Sequence, residues 1–395
     1  MKSITFSRVF SSQPNQKRCH GEGFAPSFLP SFLPSFLILL IILLAFGCKK
    51  ETKIVQDQLD ALSFFKDSEE VVQVTEGVLC FMDMGNFDYF YQNLLNMPDS
   101  LRKIQEARWG FVSYSFITDS LSDIIFESTN ENDMLQLIVN NSSFMKIEDS
   151  TLTTQLPFHG YHYVANADGI FKIDSTFFRI FPEGIVGWRG ATLSQIKSLT
   201  LNEDFDDDLS DGKFFYTRNV ELDPIESNCG NYKRVEKYTN GNTYRVIFEI
   251  KVEKHHLASS KCPATGQYIE FVYYKTTLRI VGQRKRFFIW NSYITNLEYK
   301  DVYCELNVPR QDGYNHQICK TIPRYELGGL VNKSGYKGSS RGWIFEFEGA
   351  ANGMGDMMHN IPTGDIDNPV FIKVKGKTKS SALGINNWAE ISCGY

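Results

Sequence analysis

The chain has 395 residues, of which 42% are hydrophobic, 22% charged and 14% aromatic. That apolar content excludes a disordered polymer, and 31 Phe, 19 Tyr and 5 Trp supply material for packed cores. A formal net charge of −5 is not a basic nucleic-acid footprint, so no nucleic-acid partner is expected.

Residues 1–47 read as an export signal. Lys2, Arg8, Lys17 and Arg18 make the start basic, with Glu22 its one acid. Pro26-Ser27-Phe28-Leu29 recurs at 30–33 and 34–37, and an unbroken apolar run of 12 residues, Phe36–Gly47, follows. A membrane-spanning helix needs about 20 apolar residues, so this run fits a signal-peptide core; a retained signal-anchor is the competing reading. From the leader's length, a start codon downstream of Met1 is expected.

The run closes as Leu44-Ala45-Phe46-Gly47-Cys48-Lys49-Lys50. It resembles the lipobox of bacterial lipoproteins, of the Bacteroidetes type in its Cys-Lys-Lys opening, although Ala45 and Phe46 depart from the usual residues. The resemblance implies acylation of Cys48 and a membrane partner reached through that lipid. No acid follows Cys48 directly, which by the same resemblance implies the outer membrane. Each buried acyl CH₂ contributes about 0.8 kcal/mol, so two or more chains anchor without a transmembrane helix.

Residues 48–68, with a polar helical stretch at 51–66, form a tether. An α+β domain is expected over 69–201. Val71 to Met82 reads as one strand, and from Asn86 the spacing of Phe87, Tyr89, Phe90, Leu94 and Leu95 becomes helical. Pro98-Asp99-Ser100 opens a second helix, Leu101 to about Ala107, with Asp99 or Ser100 as cap and Gly110 as stop. Asp168-Gly169 is a two-residue hairpin signal between apolar runs. A short helix follows at Ala191–Leu199, capped by Thr192.

The stretches SLRKIQEARWGFVS (100–113) and VANADGIFKIDSTFFRIFP (164–182) resemble motifs of uncharacterised Bacteroidetes-type lipoproteins, over about residues 70–190. That resemblance implies no activity.

Residues 202–241 are an acidic loop and connector, and 242–395 an antiparallel β domain. From Tyr244 the period becomes two, with Tyr244, Val246, Phe248, Ile250 and Val252 on one face. Similar strands recur at 268–281, 286–299, 343–348, 370–374 and 388–393, and Gly282-Gln283 is the expected turn between the second and third. The fold class is therefore an α+β N-terminal region followed by an all-β, antiparallel, sandwich-like C-terminal region.

Beyond Cys19 and Cys48, six cysteines remain: Cys80, Cys229, Cys262, Cys304, Cys319 and Cys393. An exported chain can pair them in disulfides. Neighbour pairing joins Cys229 to Cys262 and Cys304 to Cys319, leaving Cys80 for Cys393. Their spacings match no zinc pattern.

Few residues point to chemistry. Asp204, Asp206 and Asp208 begin like a calcium loop, because Ca²⁺ takes closely spaced hard oxygens, but the EF-hand register fails. His159 and His162 lie three apart, and His255-His256 are adjacent at a strand end. Met354, Met357, Met358 and His359 are soft enough for copper(I). Tyr273 and Tyr274 belong to an aromatic strand that suits stacking on sugar rings. No catalytic residue and no cofactor are assigned. The reading is a non-catalytic envelope lipoprotein for binding, adhesion or scaffolding, with glycan or an envelope protein as partner. The alternative is an envelope hydrolase of glycan or peptide, which requires a pocket with two carboxylates, or His159 and His162 beside one.

Overall fold

In the computed structural model the described residues are 72–157, 160–201, 214–220, 229–239, 241–261, 268–315, 320–348, 359–362 and 370–394. The β-branched stretch before Met82 is a hairpin and not one strand: β1 (Val72–Thr75) and β2 (Val78–Phe81) meet at Glu76-Gly77, both in the left-handed region. The helical spacing after Asn86 forms α1 (Met84–Asn96), whose Asp83 cap accepts a hydrogen bond from the Asn86 amide at 2.8 Å. Its buried side chains, Phe87, Phe90, Tyr91, Leu94 and Leu95, form one stripe.

Helix α2 spans Asp99–Trp109, and Gly110 ends it at φ 65° as expected. Asp99 is not its cap; Pro98 holds that position without a side-chain bond. Two further helices, α3 (Tyr114–Phe126) and α4 (Glu131–Asn140), have no counterpart in the sequence reading. Ser113 and Asn130 cap them. The buried face of α3 includes Ser115, Thr118 and Ser122, so it lacks the apolar period that announces a helix.

The strands β3 (Met145–Glu148), β4 (Thr151–Thr154), β5 (Ile170–Ile173), β6 (Thr176–Ile180) and β7 (Gly184–Arg189) follow. Asp168-Gly169 does not join two strands. Asn166 Oδ1 accepts from the amides of Asp168 and Ile170, each at 3.0 Å, and turns the chain into β5. The hairpin turn lies instead at Asp174-Ser175, between β5 and β6. Helix α5 (Leu193–Ser198) carries a capping box from Thr192 and Gln195.

The C-terminal region is all β. It contains β8 (Phe214–Val220), β9 (Tyr232–Tyr238), β10 (Tyr244–Lys261), β11 (Tyr268–Arg286), β12 (Ile289–Ser292), β13 (Thr295–Asn315) and β14 (Lys320–Ser340). β15 (Gly342–Glu348), β16 (His359–Pro362), β17 (Val370–Ser380) and β18 (Ile385–Cys393) complete it. Gly282 is not in a turn: it pairs with Val246 inside β11, and a Cβ there would lie 2.5 Å from Thr295 Cγ2. The glycine serves close approach, and Phe287-Phe288 makes the turn into β12.

One sheet runs β1-β2-β5-β6-β7-β8-β10-β11-β12-β4-β3, with β9 beside β10 and β15 and β16 beside β11. It is antiparallel except at β2–β5 and the single β12–β4 bridge. A second sheet, β14-β13-β17-β18, packs against β10 and β11 as a sandwich. Val246, Phe248, Ile250 and Val252 from β10 meet Leu297 and Val302 of β13, Phe371 and Val374 of β17, and Ile391 of β18. Each such side chain contributes about 1.5–3 kcal/mol on burial. The other face of β10 is also covered, since Arg245 and Glu249 are buried.

Because β8 pairs with both β7 and β10, the α+β and all-β regions share hydrogen-bonded sheet, and Gln58–Tyr395 forms one compact unit. The acidic segment 202–213 lies outside the described residues.

Candidate functional site

Helix α2 buries a charged face. Arg102 is 1% exposed and makes contact with three carboxylates: Asp99 at 3.1 Å, Asp119 at 3.6 Å and Glu106 at 3.7 Å. Its guanidinium also lies 4.0 Å from the centre of the Tyr163 ring. Arg341, just before β15, adds a second cation: its Nε is 3.4 Å from Asp119, its Nη2 pairs with Asp123, and its backbone amide donates to Asp99 at 2.9 Å. Lys337 Nζ, buried on β14, donates to the Leu95 carbonyl at 2.8 Å.

Burial resists ionisation of Asp99, but Arg102, Lys337 and Arg341 hold its carboxyl below the ordinary range. Burial prevails at Asp119 and pushes its carboxyl up despite Arg341 and Arg102. Glu106 is likewise pushed up by burial, against Arg102 and two hydrogen bonds from Ser113. Burial lowers Lys337 to about 8. Gln105, on the same helical face, is fully buried and its amide has no hydrogen-bond partner among the described residues.

A cavity of about 120 Å³ borders this network. It lies between α3, β4, the 3₁₀ turn Tyr161–Tyr163, β11, β12 and Arg341. Hydroxyls line much of it, with Ser115, Thr118 and Ser122 from α3 and Thr151, Thr153 and Thr154 from β4, beside apolar Met145, Leu152 and Val281. Gln283 and Asn291 contribute amides, and Arg279 of β11 contributes a half-buried guanidinium. Among the described residues lining it, Asp119 is the one carboxylate.

His162 also lines the cavity, but its ring is committed to structure. Its Nε2 lies 2.9 Å from the Pro157 carbonyl, the ring packs on Tyr114, and burial depresses its pKa to about 4. The imidazole is therefore neutral near pH 7. His159 lies outside the described residues.

No family model and no curated protein matches the chain. Among solved structures, the chain is similar to the crystal structure of a DUF4848 family protein from Bacteroides thetaiotaomicron. The two are 12% identical; the match covers 81% of this chain and 99% of that one, with a TM-score of 0.25.

The residues singled out from sequence lie mostly elsewhere. Cys48, Asp204, Asp206, Asp208, Cys262, Cys319, Met354, Met357 and Met358 lie outside the described residues. Tyr273 and Tyr274 fall on β11, paired in register with His255 and Lys254 of β10. The neighbour pairing of cysteines does not hold: Cys229 bonds Cys393, with Cα atoms 5.7 Å apart. Spatial order overrides sequence order here, because Cys229 precedes β9 and Cys393 ends β18, and these strands come together in the sandwich. Cys80 carries a free thiol, and Cys304 is buried in the sandwich core.

Among the described residues no group of three His, Cys, Asp or Glu side chains is placed to hold a metal. Among them, too, no helix is long and apolar enough to cross a membrane. The sequence reading did not find the Arg102 network or its cavity. The charged spacing Asp99, Arg102, Glu106 was visible as a helical face, but charge at that spacing ordinarily marks the solvent side.

Proposed function

We propose that the chain is a cell-envelope lipoprotein, held to the outer membrane by acylated Cys48, that binds glycan without cleaving it. The polar cavity beside α3 carries this reading. Hydroxyl and amide side chains suit the hydroxyls of a sugar ring. Most glycoside hydrolases need two carboxylates flanking the scissile bond, and the described lining offers Asp119 alone. Asp119 is itself engaged by Arg102 and Arg341. The Cys229–Cys393 disulfide agrees with an oxidising compartment outside the cytosol. Tyr273 and Tyr274 are proposed as stacking partners for the same ligand class.

The test starts from protein purified out of its native membrane. Its intact mass should begin at Cys48 and include a glyceride and acyl chains. Calorimetric titration with a panel of envelope polysaccharides, followed by product analysis, should show binding with no new reducing ends. A mass without lipid, or no heat with any polysaccharide, refutes the proposal. Release of cleaved sugar would favour the hydrolase instead.

A further inference from the structure

The charge left without a partner in the cavity has one sign. Asp119, the carboxylate, already faces Arg102 at 3.6 Å and Arg341 at 3.4 Å. Ser115 Oγ accepts from Arg102, and Ser122 and Asn291 bond each other. Thr118 donates to backbone carbonyls of its own helix. Gln283 Oε1 accepts from Arg245 Nε at 2.6 Å, which leaves the N–H end of that amide. Arg279 lines the same space and has no hydrogen bond or ion pair among the described residues. Thr118 and Ser122 thereby keep only oxygen lone pairs for a ligand, whereas Gln283 keeps N–H donors and Arg279 keeps its positive charge, the one cation of the lining without a partner among the described residues.

We propose that the cavity selects a sugar carrying an oxyanion, a uronic-acid carboxylate or a sulfate ester, and that Arg279 recognises it. This rests on the glycan-binding reading and narrows its ligand class. A neutral hydroxyl brings a hydrogen that competes with the guanidinium's own donors. An oxyanion brings acceptors alone, and the planar guanidinium fork fits two of its oxygens at once. Partial burial of Arg279 strengthens the attraction relative to a surface pair. The neighbouring network adds no net repulsion, because Arg102 and Arg341 face Asp119 and the His162 ring is neutral near pH 7.

The experiment titrates the full acylated chain in detergent with glucuronate, glucose 6-sulfate and glucose, at low and high salt. Glucose should bind at least about tenfold more weakly than the better acid, a preference that salt erodes. Comparison of the two acids identifies which oxyanion the cavity takes. Arg279→Gln should abolish the preference while leaving the thermal melt unchanged. Arg279→Lys, which keeps the charge and loses the fork, should fall between. Equal binding of glucose and both acids would overturn the anionic selectivity and leave glycan binding standing. A preference retained in Arg279→Gln would overturn the role of Arg279. Failure of all three sugars to bind, where polysaccharides do, would remove the cavity as the site. If the Gln variant is unstable, salt dependence in the wild type decides.

Discussion

Replacing Arg102 with methionine tests the account of the buried network most directly. Methionine fills much of the volume of the arginine stem, so the cavity contribution stays small and the charge is what disappears. Asp99, Asp119 and Glu106 then lose a cation at 3.1–3.7 Å, in a site where Arg102 was 1% exposed. Removing one partner of a buried ion pair costs about 3–5 kcal/mol, and about 4 is expected here at pH 7.5. That is a large share of the ~5–15 kcal/mol that holds a domain folded. The pH dependence has a definite sign. Asp119 and Glu106 already sit above their unfolded values, so they bind protons more readily in the folded state, and their destabilisation grows as pH rises through their folded pKa values. Loss of Arg102 moves both higher still. Asp99 is held down in the wild type, a stabilisation present above its unfolded value that also vanishes with Arg102. The loss at Asp99 is the same at pH 5 and pH 7.5, both above its unfolded value, so Asp119 and Glu106 are what make the variant's penalty smaller at pH 5 than at pH 7.5. Urea unfolding followed by tryptophan fluorescence at the two pH values measures the difference. A penalty below about 1 kcal/mol, or one that grows on acidification, would refute the reasoning.

Two further outcomes follow from single observations. Gln105 is fully buried with an amide that has no partner among the described residues, so Gln105→Met should stabilise the protein by about 1–2 kcal/mol in the same unfolding assay; a loss of stability would show that the amide has a partner. The Cys229–Cys393 bond closes a separation of 164 residues, for which loop entropy predicts a stabilisation of about 5 kcal/mol. Cys393→Ala should lower the unfolding midpoint correspondingly and make it insensitive to reductant, whereas a wild-type midpoint unmoved by reductant would contradict the disulfide's role.

The structure shows where local patterns suffice and where they mislead. The period-two face of β10 became core because alternation along a strand is a property of the backbone itself. The caps at Asp83 and Thr192 and the stop at Gly110 are likewise set within a few residues. Gly282 illustrates the opposite case. A glycine before Gln283 suggests a turn, yet it lies in mid-strand, because Thr295 passes too close for a side chain. Helix α2 misleads further still: its buried face is Asp99, Arg102, Gln105 and Glu106, while Ile104 is 57% exposed. Burying charge is favourable only when partners from other elements arrive, and Asp119, Tyr163 and Arg341 lie far along the chain.

By itself, then, the amino-acid order determined the division into an α+β region and an all-β region, most caps and the apolar faces, since each depends on neighbours within one or two turns. Tertiary structure alone decided that one sheet joins the two regions, that Cys229 finds Cys393, and that Arg102 sits among three carboxylates beside a polar cavity. Apart from Asp99 and Glu106, which share a helical face with Arg102, those features depend on contacts between residues tens to hundreds of positions apart. Electrostatics and covalent pairing act on distance in space, which local sequence does not encode.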